Sequence, residues 1–144
     1  MTVRPYRRGD FGSIMELWVA TGMGRPDRGD GEETIELSVS MGGALLVLCT
    51  GEKEEKIIGT SWMTFDGRRI HLHHFGILPE FQGHGLSKVL LRESLRFVKD
   101  KGYQVKLEVH RSDSKAVRIY EKAGFRYLGD YDVYIIRDLQ SIDI

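Results

Sequence analysis

HLHHFGILPEFQGHGLS, residues 71–87, decides the fold. Its opening reads as a buried strand, Pro79 marks a turn, and Gly83 and Gly85 lead into an apolar stretch from Leu86. A strand, a turn and a Gly-rich loop that opens a helix put free backbone N–H groups at a helix N-terminus, which suits a phosphate or pyrophosphate. Spacing separates the kinds of phosphate loop. The Gly-x4-Gly-Lys-Ser/Thr of a Walker loop is absent. A dinucleotide fingerprint needs a third glycine where Lys88 stands. Glu108 does lie twenty residues beyond Lys88, but three strands precede the loop, whereas the first strand of a dinucleotide fold opens its unit.

Working outward, Asp66-Gly67 is a two-residue turn that joins this strand to Lys56–Phe65. Ala44–Cys49 is a continuous apolar run suited to a central strand. Further upstream, Asp30 and Glu33 favour a helix start, although Ile35, Leu37, Val39 and Met41 fit both strand and helix periods; helix is the choice. TGMGRPDRGDG, residues 21–31, reads as an exposed loop. Asp10 is placed to cap a helix carrying Phe11, Ile14, Met15 and Trp18, and Thr2–Tyr6 suits a short strand.

Downstream, Leu86–Lys101 is a helix closed by Gly102, and Tyr103–Val109 is a strand. Strand, helix and strand make a crossover, so these two strands should run parallel. Asp113 should cap a helix with Ala116, Ile119, Tyr120 and Ala123, ended by Gly124. Phe125–Leu128 and Tyr131–Arg137 complete the expectation as two last strands. Residues 1–144 then form one α+β domain around a mixed, mostly antiparallel sheet with a parallel pair inside.

Twenty-one basic residues balance twenty-one acidic ones, which removes any bulk electrostatic case for nucleic acid or an anionic membrane. Hydrophobic content of 41% and charged content of 29% suit a soluble globular chain. Cys49 is the one cysteine and reads as a small buried hydrophobe. No apolar run reaches the length of a membrane span, and a reducing cytoplasm is the expected setting.

QGHGLS, residues 82–87, followed by an apolar helix, resembles motif A of the GCN5-related N-acetyltransferases, Gln/Arg-x-x-Gly-x-Gly/Ala, with Ser87 in place of the last small residue. LEVHRSDSKAVRIYEKAGF, residues 107–125, resembles the second half of the same family, and the order of elements matches over nearly the whole chain. The resemblance implies acetyl-CoA as cosubstrate. Its pyrophosphate would lie on the amides of Gln82, Gly83, His84, Gly85, Leu86 and Ser87. Asp113 stands where the family often has a coenzyme-binding asparagine, and an ionised carboxylate cannot donate that amide's hydrogen bond. The resemblance also implies a splay between the two parallel strands, with the pantetheine arm along Phe75, Gly76 and Ile77. A lone strand glycine such as Gly76 suits a bulge there. The amide of Phe75 or Gly76 would meet the thioester oxygen.

Tyr120 matches the family's tyrosine, the usual proton donor to the coenzyme A sulfur; packing on the helix's apolar stripe would explain it too. Two candidates compete for the base. Glu108 points away from the side of Leu107 and Val109, at a position assigned as base in some relatives that act on protein N-termini. His71 and His73 share one strand face and resemble the histidine pair of arylalkylamine N-acetyltransferase. A solvated glutamate and packed histidines are the ordinary alternatives. No metal is expected, since His71, His73 and His74 cannot all face one ion along a regular strand.

Family resemblance does not fix the acceptor beyond a small-molecule or peptide amine. Gly22–Gly31 with Glu32, Glu33 and Glu36 would form one acidic wall, and Trp18, Tyr131 and Tyr134 would line an aromatic pocket or simply pack. Transfer of acetyl to a primary amine is the expected function, with a homodimer left open. A non-catalytic acyl-CoA-binding module of the same fold is the alternative, motivated by Ser87 and Asp113.

Overall fold

The computed structural model describes residues 1–24 and 29–144. Five strands form one sheet in sequential order: β1 Thr2–Pro5, β2 Ala44–Thr50, β3 Lys56–Phe65, β4 Arg69–Ile77 and β5 Gln104–Leu107. The first four pair antiparallel. β4 and β5 run parallel, as the crossover through α3, Leu86–Lys101, requires.

Side chains alternate across the sheet and divide the core in two. On one face Leu45, Val47, Cys49 and Trp62 pack against Ile14, Leu17 and Trp18 of α1, Phe11–Thr21, and Ile35 of α2, Glu32–Ser40. On the other face Met63, Ile70 and Leu72 meet Leu91 and Val98 of α3. Tyr120, on α4 (Ser114–Lys122), packs at the margin of that second cluster. Trp18 and Trp62 stack with ring centroids 5.5 Å apart, joining α1 to the sheet centre. Cys49 is buried, and desolvation pushes its thiol up to about 12, so it is inert.

β4 carries one irregularity. Trp62 pairs with His73 and Thr60 with Gly76, so His74 and Phe75 together oppose the single residue Ser61. Two residues against one is a β-bulge. The sequence placed it at Gly76, but the left-handed residue is His74, with φ 46°. Such a backbone costs a non-glycine residue about 1–3 kcal/mol unless its surroundings fix it. Thr60 does so: its buried hydroxyl donates to the His74 carbonyl at 2.8 Å and accepts from Trp18 Nε1–H at 2.9 Å. Behind it, the buried hydroxyls of Ser61 and Ser94 are hydrogen-bonded at 2.7 Å, tying the bulge to α3. Gly76 is glycine for a different reason. A Cβ there would lie 2.7 Å from Met23 Sδ, so the loop after α1 closes directly over its backbone.

Several boundaries differ from the expected ones. Asp10 precedes α1, but its carboxylate is taken by Arg4 at 2.7 Å and the Arg7 amide at 2.7 Å rather than by the helix. α2 begins on Gly31, with Glu32 and Glu33 in its first turn. Asp30, read as its cap in an exposed loop, is buried, at 8% exposure. Residues 25–28 of that loop lie outside the described residues. β5 stops at Leu107, two residues early. The two last strands are not formed among the described residues, and every large apolar side chain from Tyr127 to Ile144 is exposed. Strand propensity there finds no pleated surface to pack on, and propensity without packing is weak.

Thr60→Val should leave the Trp18 indole N–H and the His74 carbonyl without a partner inside the core. The expected loss is about 2–6 kcal/mol in urea unfolding, since each of the two buried orphans costs about 1–3 kcal/mol. Thr60→Ser should retain most of the stability. Equal values for valine and serine would refute the role given to this hydroxyl.

Candidate active site at the fork between the parallel strands

Pairing between β4 and β5 covers only four positions, Arg69–Gln104 to Leu72–Leu107. Beyond Leu72, β4 continues to Ile77 held by β3 alone. The parallel strands therefore part at the level of the bulge, and peptide groups on the open side of His73–Ile77 lose their ladder partners. The expected splay is present in this register.

The loop that follows is shaped by its glycines. Gly83 and Gly85 have φ 83° and 76°, and a Cβ at either would meet no atom within 4 Å. Open space over left-handed glycines lets a ligand approach the backbone. α3 starts on Gly85 with no side-chain cap, so the first-turn N–H groups of Leu86 and Ser87 face outward. His84 is exposed, whereas Leu86 and Ser87 are half-buried. Gln82 turns its side chain back, and Nε2 donates to the Ile77 carbonyl at 3.0 Å. This bond braces the loop against the end of β4 and occupies that Ile77 acceptor. Asp113 caps α4 by accepting from the Ala116 amide at 3.1 Å, as expected of it.

Tyr120 brings its ring to the fork. It meets Phe75 edge-on at 5.9 Å and Phe125 at 5.7 Å. Its hydroxyl makes no hydrogen bond among the described residues. Burial, then the charge of Asp113, pushes the phenol up to about 12, so it holds its proton throughout the neutral range.

The histidines lie on the α1–α2 side, against the tryptophans. His71 and His73 have ring centroids 5.3 Å apart, and His73 lies 4.7 Å from Trp62. The bulge turns His74 to that same side, where it lies 4.6 Å from Trp18 and 5.1 Å from Trp62. Nδ1 of His73 and Nδ1 of His74 are 2.7 Å apart. His74 Nε2 lies 3.2 Å from Asp30 Oδ1. The strand is thus not regular here, yet among the described residues no three histidine, cysteine or carboxylate side chains form a group that could hold a metal ion. Burial pushes His73 down to about 3, helped by His74 and His71. Burial lowers His71 too, opposed by Glu108, and lowers His74, opposed by Asp30. Glu108 is exposed just past the end of β5. In the parallel register His71 faces Lys106, so His73 and Glu108 follow on the same face of the fork.

Sequence reasoning missed His74, Asp30 and Met23. A bulge can be read from a strand only where its partner's register is known, and neither His74 nor the burial of Asp30 has a periodic signal. Of the proposed aromatic pocket, Trp18 is core, while Tyr131 and Tyr134 are exposed.

Because the native cluster resists protonation, the unfolded chain binds more protons below the ordinary histidine value of about 6.5. Stability contributed by neutral His73 is complete above that pH and is lost as pH falls from 6.5 towards 3. From pH 7 to 5.5 this one residue should remove about 1 kcal/mol in denaturant titrations. His73→Phe should make the slope shallower, and an unchanged slope would contradict burial as the cause.

Comparison with known proteins places this geometry. The family model described as the acetyltransferase (GNAT) family matches residues 8–125. A Trypanosoma brucei acetyltransferase is similar at 25% identity and a TM-score of 0.72, over 96% of this chain and 99% of that one. A GNAT family protein of Streptococcus pneumoniae aligns at 23% identity and TM-score 0.71, over 95% and 98%. The ribosomal-protein-S18-alanine N-acetyltransferase of Escherichia coli shares the fold, with 19% identity, TM-score 0.71 and coverage of 87% and 77%. With the glycine loop, the parted parallel strands and a match over most of its length, the chain belongs to the GNAT acetyltransferase family.

Proposed function

We propose that this protein transfers an acetyl group from acetyl-CoA to a primary amine by direct attack in a ternary complex. The observation that carries it is the end of β4–β5 pairing at Leu72–Leu107, with Tyr120 beside Phe75 at the opening. The residues present fit the cosubstrate. Open left-handed Gly83 and Gly85 and the uncapped first turn of α3 suit its pyrophosphate, with His84, Leu86 and Ser87 adding amides. Unpaired peptide groups along Phe75–Ile77 suit the amide-rich arm. Asp113 keeps one oxygen on Ala116, and its second accepts no hydrogen bond among the described residues and would face the coenzyme.

Bound acetyl-CoA supplies an activated thioester. An amide at Phe75 or Gly76 donates to its carbonyl oxygen and stabilises the charge that grows there. Tyr120 gives its proton to the leaving sulfur, for which a phenol held protonated is suited. The acceptor's ammonium proton passes to Glu108, exposed at the mouth of the fork, or through water to His73, held neutral by burial. Glu32, Glu33 and Glu36 would attract a cationic acceptor, although Glu36 is engaged by Arg8 at 3.0 Å. Buried, solitary Cys49 suits a cytoplasmic setting, and no described helix is long and apolar enough to cross a membrane.

Acetyl-CoA at one hundred times its dissociation constant should stabilise the fold by about 2.7 kcal/mol, read as a higher Tm. Gly85→Glu places a carboxylate where the pyrophosphate would lie, and it should abolish that shift while the ligand-free protein still melts cooperatively. Free thiol release should then be measured over arylalkylamines, polyamines, aminoglycosides and peptides with free N-termini. Tyr120→Phe should slow the active reaction at least tenfold. An unchanged rate removes its acid role, and binding with no release over the panel favours the non-catalytic module.

A further inference from the structure

The bulge does more than open the fork, because it makes a chain of three polar side chains from Asp30 to His73. His74 Nε2 lies 3.2 Å from Asp30 Oδ1 outside the geometry of a direct hydrogen bond, and a carboxylate that close repels a bare lone pair and favours an N–H, so that nitrogen carries the hydrogen. A neutral imidazole has one N–H, which makes His74 Nδ1 an acceptor. The 2.7 Å contact between the two Nδ1 atoms needs one hydrogen, and His73 must supply it. His73 Nε2 is then left as a bare lone pair.

We propose that Asp30 and His74 are positioning residues that fix the tautomer of His73 and leave its Nε2 ready to accept the acceptor amine's proton. The inference rests on the acetyl-transfer role and deepens it by naming how one of the two base candidates is oriented. In the step itself an ammonium N–H bond breaks and an Nε2–H bond forms on His73. The electron pair stays on the amine nitrogen for attack. The new imidazolium keeps its Nδ1–H on His74, whose own Nε2–H lies beside Asp30, so the carboxylate offsets the positive charge along the chain. Charge from His71, Lys106, Asp66 and Glu108 also reaches this face. The two tryptophans and the Thr60 bond to the His74 carbonyl hold the rings in place. Burial keeps both imidazoles neutral before the amine arrives.

Such an arrangement explains why a histidine occupies the left-handed position of the bulge, where glycine would be cheaper. Backbone strain is retained at sites that use the residue it displays.

Long-range 15N–1H imidazole spectra of the ligand-free, uniformly labelled protein at pH 7.5 test the relay, with signals assigned by His73→Gln and His74→Gln. The expected pattern for His73 is a protonated, pyrrole-type Nδ1 and a pyridine-type Nε2, with the reverse for His74. In Asp30→Asn the His73 pattern should mix or invert, and its protonation midpoint should fall by at least half a pH unit. A wild-type His73 with its hydrogen on Nε2 would overturn the proposal, as would an Asp30→Asn spectrum identical to wild type. If Asp30→Asn does not fold, the wild-type tautomers alone decide. The measurement needs no acetyl-CoA, so a missing ligand-induced melting shift would remove the transferase role while leaving the tautomers as read.

Discussion

The Thr60 hydroxyl, donating to the His74 carbonyl and accepting from the Trp18 indole, is the contact on which the rest of the site depends. A bulge removes a ladder partner from a buried carbonyl, and a buried carbonyl without a partner is costly. Thr60 supplies the partner from the neighbouring strand, and Trp18 brings α1 down onto the same oxygen. One side chain thus couples the sheet irregularity to the helix that walls the histidine cluster. The bulge also lies just where the pairing of β4 with β5 ends, so fork and histidines meet at one place in the sheet.

Two electrostatic influences compete around the histidines. Desolvation favours neutral rings and dominates at His73, which is packed between Trp62 and two other imidazoles. Asp30 and Glu108 oppose it from either end, at His74 and at His71. Tyr120, on the other face of the sheet, is held protonated by burial first and then by the charge of Asp113. Acid and base candidates therefore sit on opposite sides of β4, with the open peptide edge between them, as an attack from one side and a departure on the other would require.

Much of this was legible in the sequence. QGHGLS with the helix behind it, the Asp66-Gly67 turn, Gly102 after Lys101 and Asp113 before Ser114 are local signals, and each governs a local bond or a local φ. The parallel pair followed from chain connectivity. What could not be read depends on contacts between distant segments. Gly76 signalled something unusual in β4, but the reason is Met23 above it, and the bulge belongs to His74 because Thr60 is there to receive it. Asp30 has the chemistry of a cap, and only the tertiary structure shows that it is buried with its carboxylate 3.2 Å from His74. Tyr131–Arg137 has strand-forming residues, but its large apolar side chains are exposed, and strand propensity expresses packing more than backbone preference.

Hydrogen–deuterium exchange across β4, with and without acetyl-CoA, tests most directly whether the bulge and fork form the arm-binding edge. Amides of Ile70–Leu72 should be protected in both states, since both neighbouring strands hold this stretch. Among His73–Ile77 at least one amide should exchange fast in the free protein and slow severalfold with saturating acetyl-CoA. Uniform protection of β4 from Arg69 to Ile77 in the free protein, or no change over His73–Ile77 on saturation, would contradict the account.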